Sequence, residues 1–269
     1  MRAARLAGLA VAAALASGCS LNRTAARVTA GVIDEGLPAV YAQGDAKYAR
    51  EALPANLQLM EILLASAPGD RRLLANAAQG FCGYAMLFLE DEDDARASGF
   101  YLKGEGYALR ALKGAGPENA RKADAPALFW HTFCKASYIN LNKDKPEAVA
   151  ALPELEPAIK KLLELDPAYY HGGPHALAGA YDAMRPKMFG GDPERAKAAF
   201  ERALAAENFL FYRYLYARHA AVAAQDAELF EKLLGEVLSA PEKEGDTRLP
   251  DAVAKARARK LLEKKDELF

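Results

Sequence analysis

The chain has 269 residues, 52% of them apolar and 26% charged, with a formal net charge of −1 at neutral pH. That composition can bury a substantial core and excludes a disordered chain. The near-balanced charge also excludes the concentrated basic face that nucleic acid requires, so no nucleic-acid partner is expected.

In chain order, the first feature is a leader. Arg2 and Arg5 precede an apolar run, Leu6–Leu15. A bilayer span needs roughly 20 apolar residues, so this run is too short to cross but suits the core of a secretory signal. It ends in Leu15-Ala-Ser-Gly-Cys19, which resembles a bacterial lipobox. The expectation is a leader over 1–18, lipidation at Cys19, and a lipid-anchored periplasmic protein, with Ser20 after the cysteine pointing to the outer membrane. Residues 19–35 read as the lipidated N-terminus and a linker, and 36–269 as one helical-repeat domain.

Beyond the leader no sustained two-residue alternation occurs, and apolar residues recur at three and four. Helices are expected near 38–51, 54–66, 70–89, 94–113, 125–141, 147–165, 173–184, 193–206, 208–223, 227–239 and 249–266. The fold class is therefore all-α. Cys82 and Cys134 both fall in apolar helical patterns without metal-type spacing; free buried thiols are the preferred reading, a disulfide the alternative. The acidic run Glu90–Asp94 lacks the spacing of a calcium loop and reads as a solvated turn, with Asp93 or Asp94 capping the next helix. Gly104 and Gly106 lack the rest of a dinucleotide fingerprint and more simply allow close helix contact.

The stretch Tyr169–Tyr181, YYHGGPHALAGAY, places His171 and His175 four apart. Gly172, Gly173 and Pro174 between them make one continuous helical turn improbable, so a metal pair is not expected. His171 belongs to a loop and His175 to the first turn of a helix. Next, Asp192-Pro193-Glu194 is a helix start, with Asp192 as cap and Pro193 at the first helical position. Ala196, Ala199, Phe200, Ala203 and Leu204 form the apolar face that follows. Their small-large-small spacing, with Leu177, Ala178 and Tyr181 upstream, matches a tetratricopeptide-like hairpin carrying a long loop. Pro68 to Gly80 and Pro167 to Gly179 repeat the same twelve-residue spacing. The architecture is thus an array of helix-turn-helix hairpins, an α-solenoid, whose units must stack to bury their faces.

The segment Glu207–Ala220, ENFLFYRYLYARHA, is aromatic on more than one face. Phe209, Tyr212 and Tyr216 share one side; Phe211, Tyr214 and Arg218 share another. Such a helix is either central to the array or lines a cavity or partner surface. Trp130, the only tryptophan, poses the same choice. Ligand or interface candidates are Trp130, His175, Tyr181, Phe209, Tyr212, Arg213, Tyr214, Tyr216 and Arg218, with Arg213 or Arg218 able to steady a carboxylate. No catalytic signature, metal motif or cofactor motif is present.

The phrases LLELDPAYYHGGPHALAGAY, GGDPERAKAAFERAL and QDAELFEKLL, with ALFW upstream and the aromatic helix, resemble the T-component family of tripartite ATP-independent periplasmic (TRAP) transporters. The most specific part is Gly172, Gly173 and His175 followed by Gly190–Pro193, Ala196, Phe200, Glu201, Ala203 and Leu204. The resemblance implies a helical periplasmic lipoprotein that is not an enzyme. It further implies docking to the substrate-binding subunit of a TRAP transporter and assembly into a homo-oligomeric ring, a trimer as the working guess. A pore or groove would pass or hold a hydrophobic or organic-acid ligand. A stand-alone ligand-binding or scaffold lipoprotein of the envelope is the alternative.

Overall fold

A computed structural model describes residues 2–269, with side chains described from Asn22 onward. Cys19 and the leader side chains lie outside that range. The elements are helical throughout, with no strand among the described residues. In order they are α1 (Arg2–Tyr41), α2 (Ala46–Ser66), α3 (Arg71–Tyr84), α4 (Asp94–Leu112), α5 (Ala125–Leu141), α6 (Pro146–Ala150) and α7 (Leu155–Leu165). There follow α8 (Tyr169–Met184), α9 (Pro193–Ala206), α10 (Leu210–Tyr216), α11 (Val222–Ala224), α12 (Ala227–Ser239), α13 (Arg248–Leu262) and α14 (Lys265–Leu268). Among the described residues no helix is long and apolar enough to cross a membrane.

Aspartates cap five of the helices. Asp93 accepts from the Arg96 amide, Asp192 from the Glu194 and Arg195 amides, and Asp226 from the Leu229 amide. Each satisfies amides that lack an intrahelical partner. The expected helix 38–51 is divided instead: α1 ends at Tyr41, and Asp45 caps α2 through the Lys47 and Tyr48 amides. The expected break before Pro54 does not occur, because α2 runs through that proline. Proline removes the bond to the carbonyl four residues back. Here that carbonyl, on Arg50, accepts the Tyr84 hydroxyl at 3.2 Å. A tertiary contact replaces the lost helix bond.

Neighbouring helices pack in pairs, chiefly α2 with α3, α3 with α4, α4 with α5, and α8 with α9. In the α8–α9 hairpin a Cβ at Gly179 would fall 2.5 Å from the Phe200 ring, so the aromatic fills the space the glycine leaves. The two cysteines are not free thiols: Cys82 and Cys134 form a disulfide joining α3 to α5, with Cα atoms 5.6 Å apart. Helix α4 passes beside it at Gly104, where a Cβ would lie 2.2 Å from the Cys82 sulfur. Gly106 faces open space, so only Gly104 serves the close helix contact expected of the pair.

The array also closes. Helix α13 packs on α10 and α12 and reaches back to α1 and α2. Buried Leu249, Val253, Ala254 and Ala258 form its inner face. Asp251 on α13 accepts the Leu210 amide at 3.1 Å, fixing the start of α10. Arg257 donates to the Glu90 carbonyl at 3.1 Å, across 167 residues of sequence.

Candidate functional site

Two departures from regular helix shape the interior. Helix α3 continues into a π-turn, Ala85–Leu89, and α10 into another, Ala217–Ala221. Such turns insert one residue into the ladder and re-aim the side chains beside it. Between them lies an apolar chamber of about 80 Å³. Met86, Leu87 and Glu90 come from the first turn's end, and His219 from the second.

The walls are aromatic. Helix α5 supplies Phe129, Trp130 and Phe133, and the α10 region supplies Phe209, Phe211, Tyr212 and Leu215. The third wall is the stretch with the two histidines. Tyr170, His171 and Gly172 all take left-handed backbone, with φ of 47°, 60° and 82°. Only glycine adopts that conformation without cost, and Tyr170 there is strained unless its surroundings hold it. They do: the Tyr212 hydroxyl donates to the Tyr170 carbonyl at 2.6 Å, and the Tyr170 ring lies 4.9 Å from Trp130. The regular helix begins only at Gly173. A Cβ at that position would fall 2.5 Å from the Phe129 ring and 2.9 Å from the Tyr212 hydroxyl. The two glycines therefore bend the chain and let it lie flat against the chamber wall.

The bend separates the histidines as their intervening residues indicate. His171 pairs through Nδ1 with Glu207 at 2.7 Å. His175 sits on the first helical turn, where burial, then the nearby Arg202 charge, lowers its pKa. Among the described residues no three His, Cys, Asp or Glu side chains converge as a metal site.

The structure distributes the candidate residues among several places. Trp130, Phe209 and Tyr212 line the chamber. Tyr214 and Arg218 face the other way, into a charged groove of about 790 Å³. Tyr216 stacks on Phe200, with centroids 5.1 Å apart and planes 6° from parallel. Tyr181 donates to Glu156 at 3.2 Å beneath the Arg185 guanidinium, outside the chamber. Arg213 is held by Glu236 and by Asn208 at 2.9 Å, so its charge is directed away from the chamber. His175 is likewise not part of the lining.

Three participants went unread in the sequence. Glu90 belonged to a run taken as solvated, yet it is 4% exposed and lines both the chamber and the charged groove. The Tyr101 hydroxyl donates to it at 2.5 Å, while Arg218 and Arg257 approach at 3.5 and 3.9 Å. Burial raises its pKa, against the pull of the two arginines and the tyrosine. Arg257 comes from α13 in a stretch with no motif. His219 lines the chamber, and burial, then Arg218 and Lys143, drive its pKa down to about 3. On the far side Trp130 also borders a polar groove holding Arg71, Arg72 and Asn76. The chamber thus shares Leu87 and Glu90 with the charged groove and Trp130 with the polar one.

The sequence signature of the TRAP transporter T-component family matches residues 42–269. An uncharacterized protein of Treponema pallidum (strain Nichols) is 27% identical over 237 residues, covering 70% of this chain and 72% of that one.

Proposed function

Because the chain belongs to the TRAP transporter T-component family, we propose that it is an accessory lipoprotein that docks the periplasmic substrate-binding subunit and holds a small hydrophobic or organic-acid ligand. Membership supports an accessory role and association with other subunits of the transporter at the cell envelope. The finer reading is carried by one observation: the family-matched region builds an aromatic chamber that shares lining residues with two grooves. An apolar enclosure with a few polar groups at its edge is the usual form of a small-ligand site. A hydrophobic molecule released by the binding subunit would pass through or rest there. A lipid at Cys19 would keep the complex at the membrane, and assembly as a homo-oligomeric ring, a trimer as the working guess, would group several chambers.

Mild solubilisation of membranes followed by affinity purification of the tagged chain tests this. The expected result is co-purification of the substrate-binding subunit, loss of membrane association in Cys19→Ala, and a mass corresponding to a closed oligomer. A chain that emerges alone yet carries a tightly bound small molecule would instead establish the stand-alone ligand-binding lipoprotein.

A further inference from the structure

A second apolar cavity, of about 270 Å³ against about 80 Å³ for the chamber, lies where α1 packs on α2 and α3. Ile33 and Leu37 line it from α1, Leu53, Leu57 and Met60 from α2, and Leu249 from α13. An apolar cavity of about 150 Å³ stays dry and takes up benzene, so this one has room for a body of about eight to ten carbon atoms.

Two glycines keep it open. Glycine weakens a helix relative to alanine, and at Gly104 and Gly179 close contact with a neighbouring helix offsets that cost. Gly36 in α1 and Gly83 in α3 have no such contact. A Cβ at Gly36 would meet nothing within 4 Å, and one at Gly83 only the Tyr41 hydroxyl at 4.0 Å. Both line the cavity. Val32 and Leu59 line it too, yet remain 64% and 42% exposed, so the mouth is apolar and reaches solvent.

Among the described residues no charged side chain lines this cavity; its polar groups are the neutral Tyr41, Asn56 and Gln79. Asp34, on the same helix, is turned instead to Arg72 at 3.2 Å and Asn76 at 2.7 Å. An ionised ligand would lose water here and gain no counter-charge.

We propose that the cavity beneath α1 binds an uncharged, largely apolar molecule of about eight to ten carbons, a medium-chain alcohol being the model ligand. The site shares Gly83 and Leu87 with the chamber lining but stands or falls without the chamber.

The test titrates the purified full-length chain at neutral pH with octanol and with octanoate, followed by calorimetry. Octanol is expected to bind saturably and at least about 10-fold more tightly than the carboxylate of equal length. Gly36→Leu puts a side chain into the open space and should abolish octanol binding. Its melting temperature should equal or exceed the parent's, because leucine is the better helix former. Leu59→Ser, at the mouth, is the second variant and should weaken octanol binding about 3- to 10-fold. Equal affinity for the alcohol and the carboxylate overturns the assignment of a neutral ligand. Octanol binding that both variants leave intact overturns the site and puts the molecule elsewhere, the chamber included. A parent that binds no octanol overturns it as well. So does a parent oligomer that Gly36→Leu dissociates in light scattering, which would make the mouth an interface between copies. Association with the transporter is judged separately by co-purification.

Discussion

His219 lines the chamber, and burial beside Arg218 and Lys143 lowers its pKa from 6.5 to about 3. The unfolded chain accepts a proton near pH 6.5 that the folded chain refuses. The stability this neutral imidazole confers is therefore complete above pH 6.5 and is lost as pH falls toward 3. The slope for one such group reaches about 1.4 kcal/mol per pH unit. His131, lowered to about 4 by burial and then by Lys135, acts in the same direction. Glu90, Glu105 and Asp251 act oppositely, because burial raises each of their pKa values. A pH series on the parent alone would mix these contributions, whereas a difference isolates one. Urea unfolding of the parent and of His219→Gln between pH 6.5 and 4 should show a shallower decline in the variant, by up to about 1.4 kcal/mol per unit. Parallel profiles would mean that His219 is protonated in the fold and that the chamber is wetter than its lining indicates.

At the level of the elements, the disulfide and α4 form a coupled unit. A bridge closing 52 residues is expected to stabilise by about 4 kcal/mol through the unfolded chain. The Cys82→Ala/Cys134→Ala double variant should lose stability of that order in denaturant titration. Gly104→Ala in the parent should cost about 1–3 kcal/mol by overpacking, since the new methyl meets the Cys82 sulfur first and the Ala78 carbonyl, at 3.1 Å, next. In the cysteine-free background the first obstacle is gone, so the same substitution should cost less. Strict additivity would place Gly104 and the bridge in independent surroundings. Many of the helices were legible because apolar periodicity and aspartate caps are local signals: Asp93 and Asp192 each open the helix that follows them. The disulfide was not, because pairing depends on α3 and α5 meeting beside a glycine in α4. Pro54 misled for the same reason, since the Tyr84 hydroxyl that satisfies Arg50 lies thirty-four residues away. The π-turns left no trace in Ala85–Leu89 or Ala217–Ala221, whose residues all suit ordinary helix.

For the whole molecule, half of the chamber was foreseeable and half was not. Trp130, Phe209 and Tyr212 stood out as aromatics in excess of one buried face, and Gly172, Gly173 and Pro174 marked a break between His171 and His175. Glu90 and Arg257 could not be joined by local reasoning, because only closure of the array brings α13 against the turn after α3. That closure has a thermodynamic consequence. In an open solenoid each repeat contacts only its neighbours, so removing the last one lowers stability by roughly its own share and leaves a folded remainder. Here α13 contacts α1, α2, α10 and α12. Its loss would uncover the partners of Leu249, Val253, Ala254 and Ala258, leave the Leu210 amide without Asp251, and strip Glu90 of one cation. Truncation of residues 241–269 should therefore abolish the cooperative transition altogether, read as a broad, low-amplitude melt by circular dichroism or calorimetry. Leu249→Ala, at a fully buried position, grades the same effect and should cost about 2–5 kcal/mol while keeping one transition. A truncated chain that still melts sharply, a few degrees below the parent, would show the ends of the array to be energetically independent. In that case the groove at Arg257 would be an appendage to the chamber and not part of its wall.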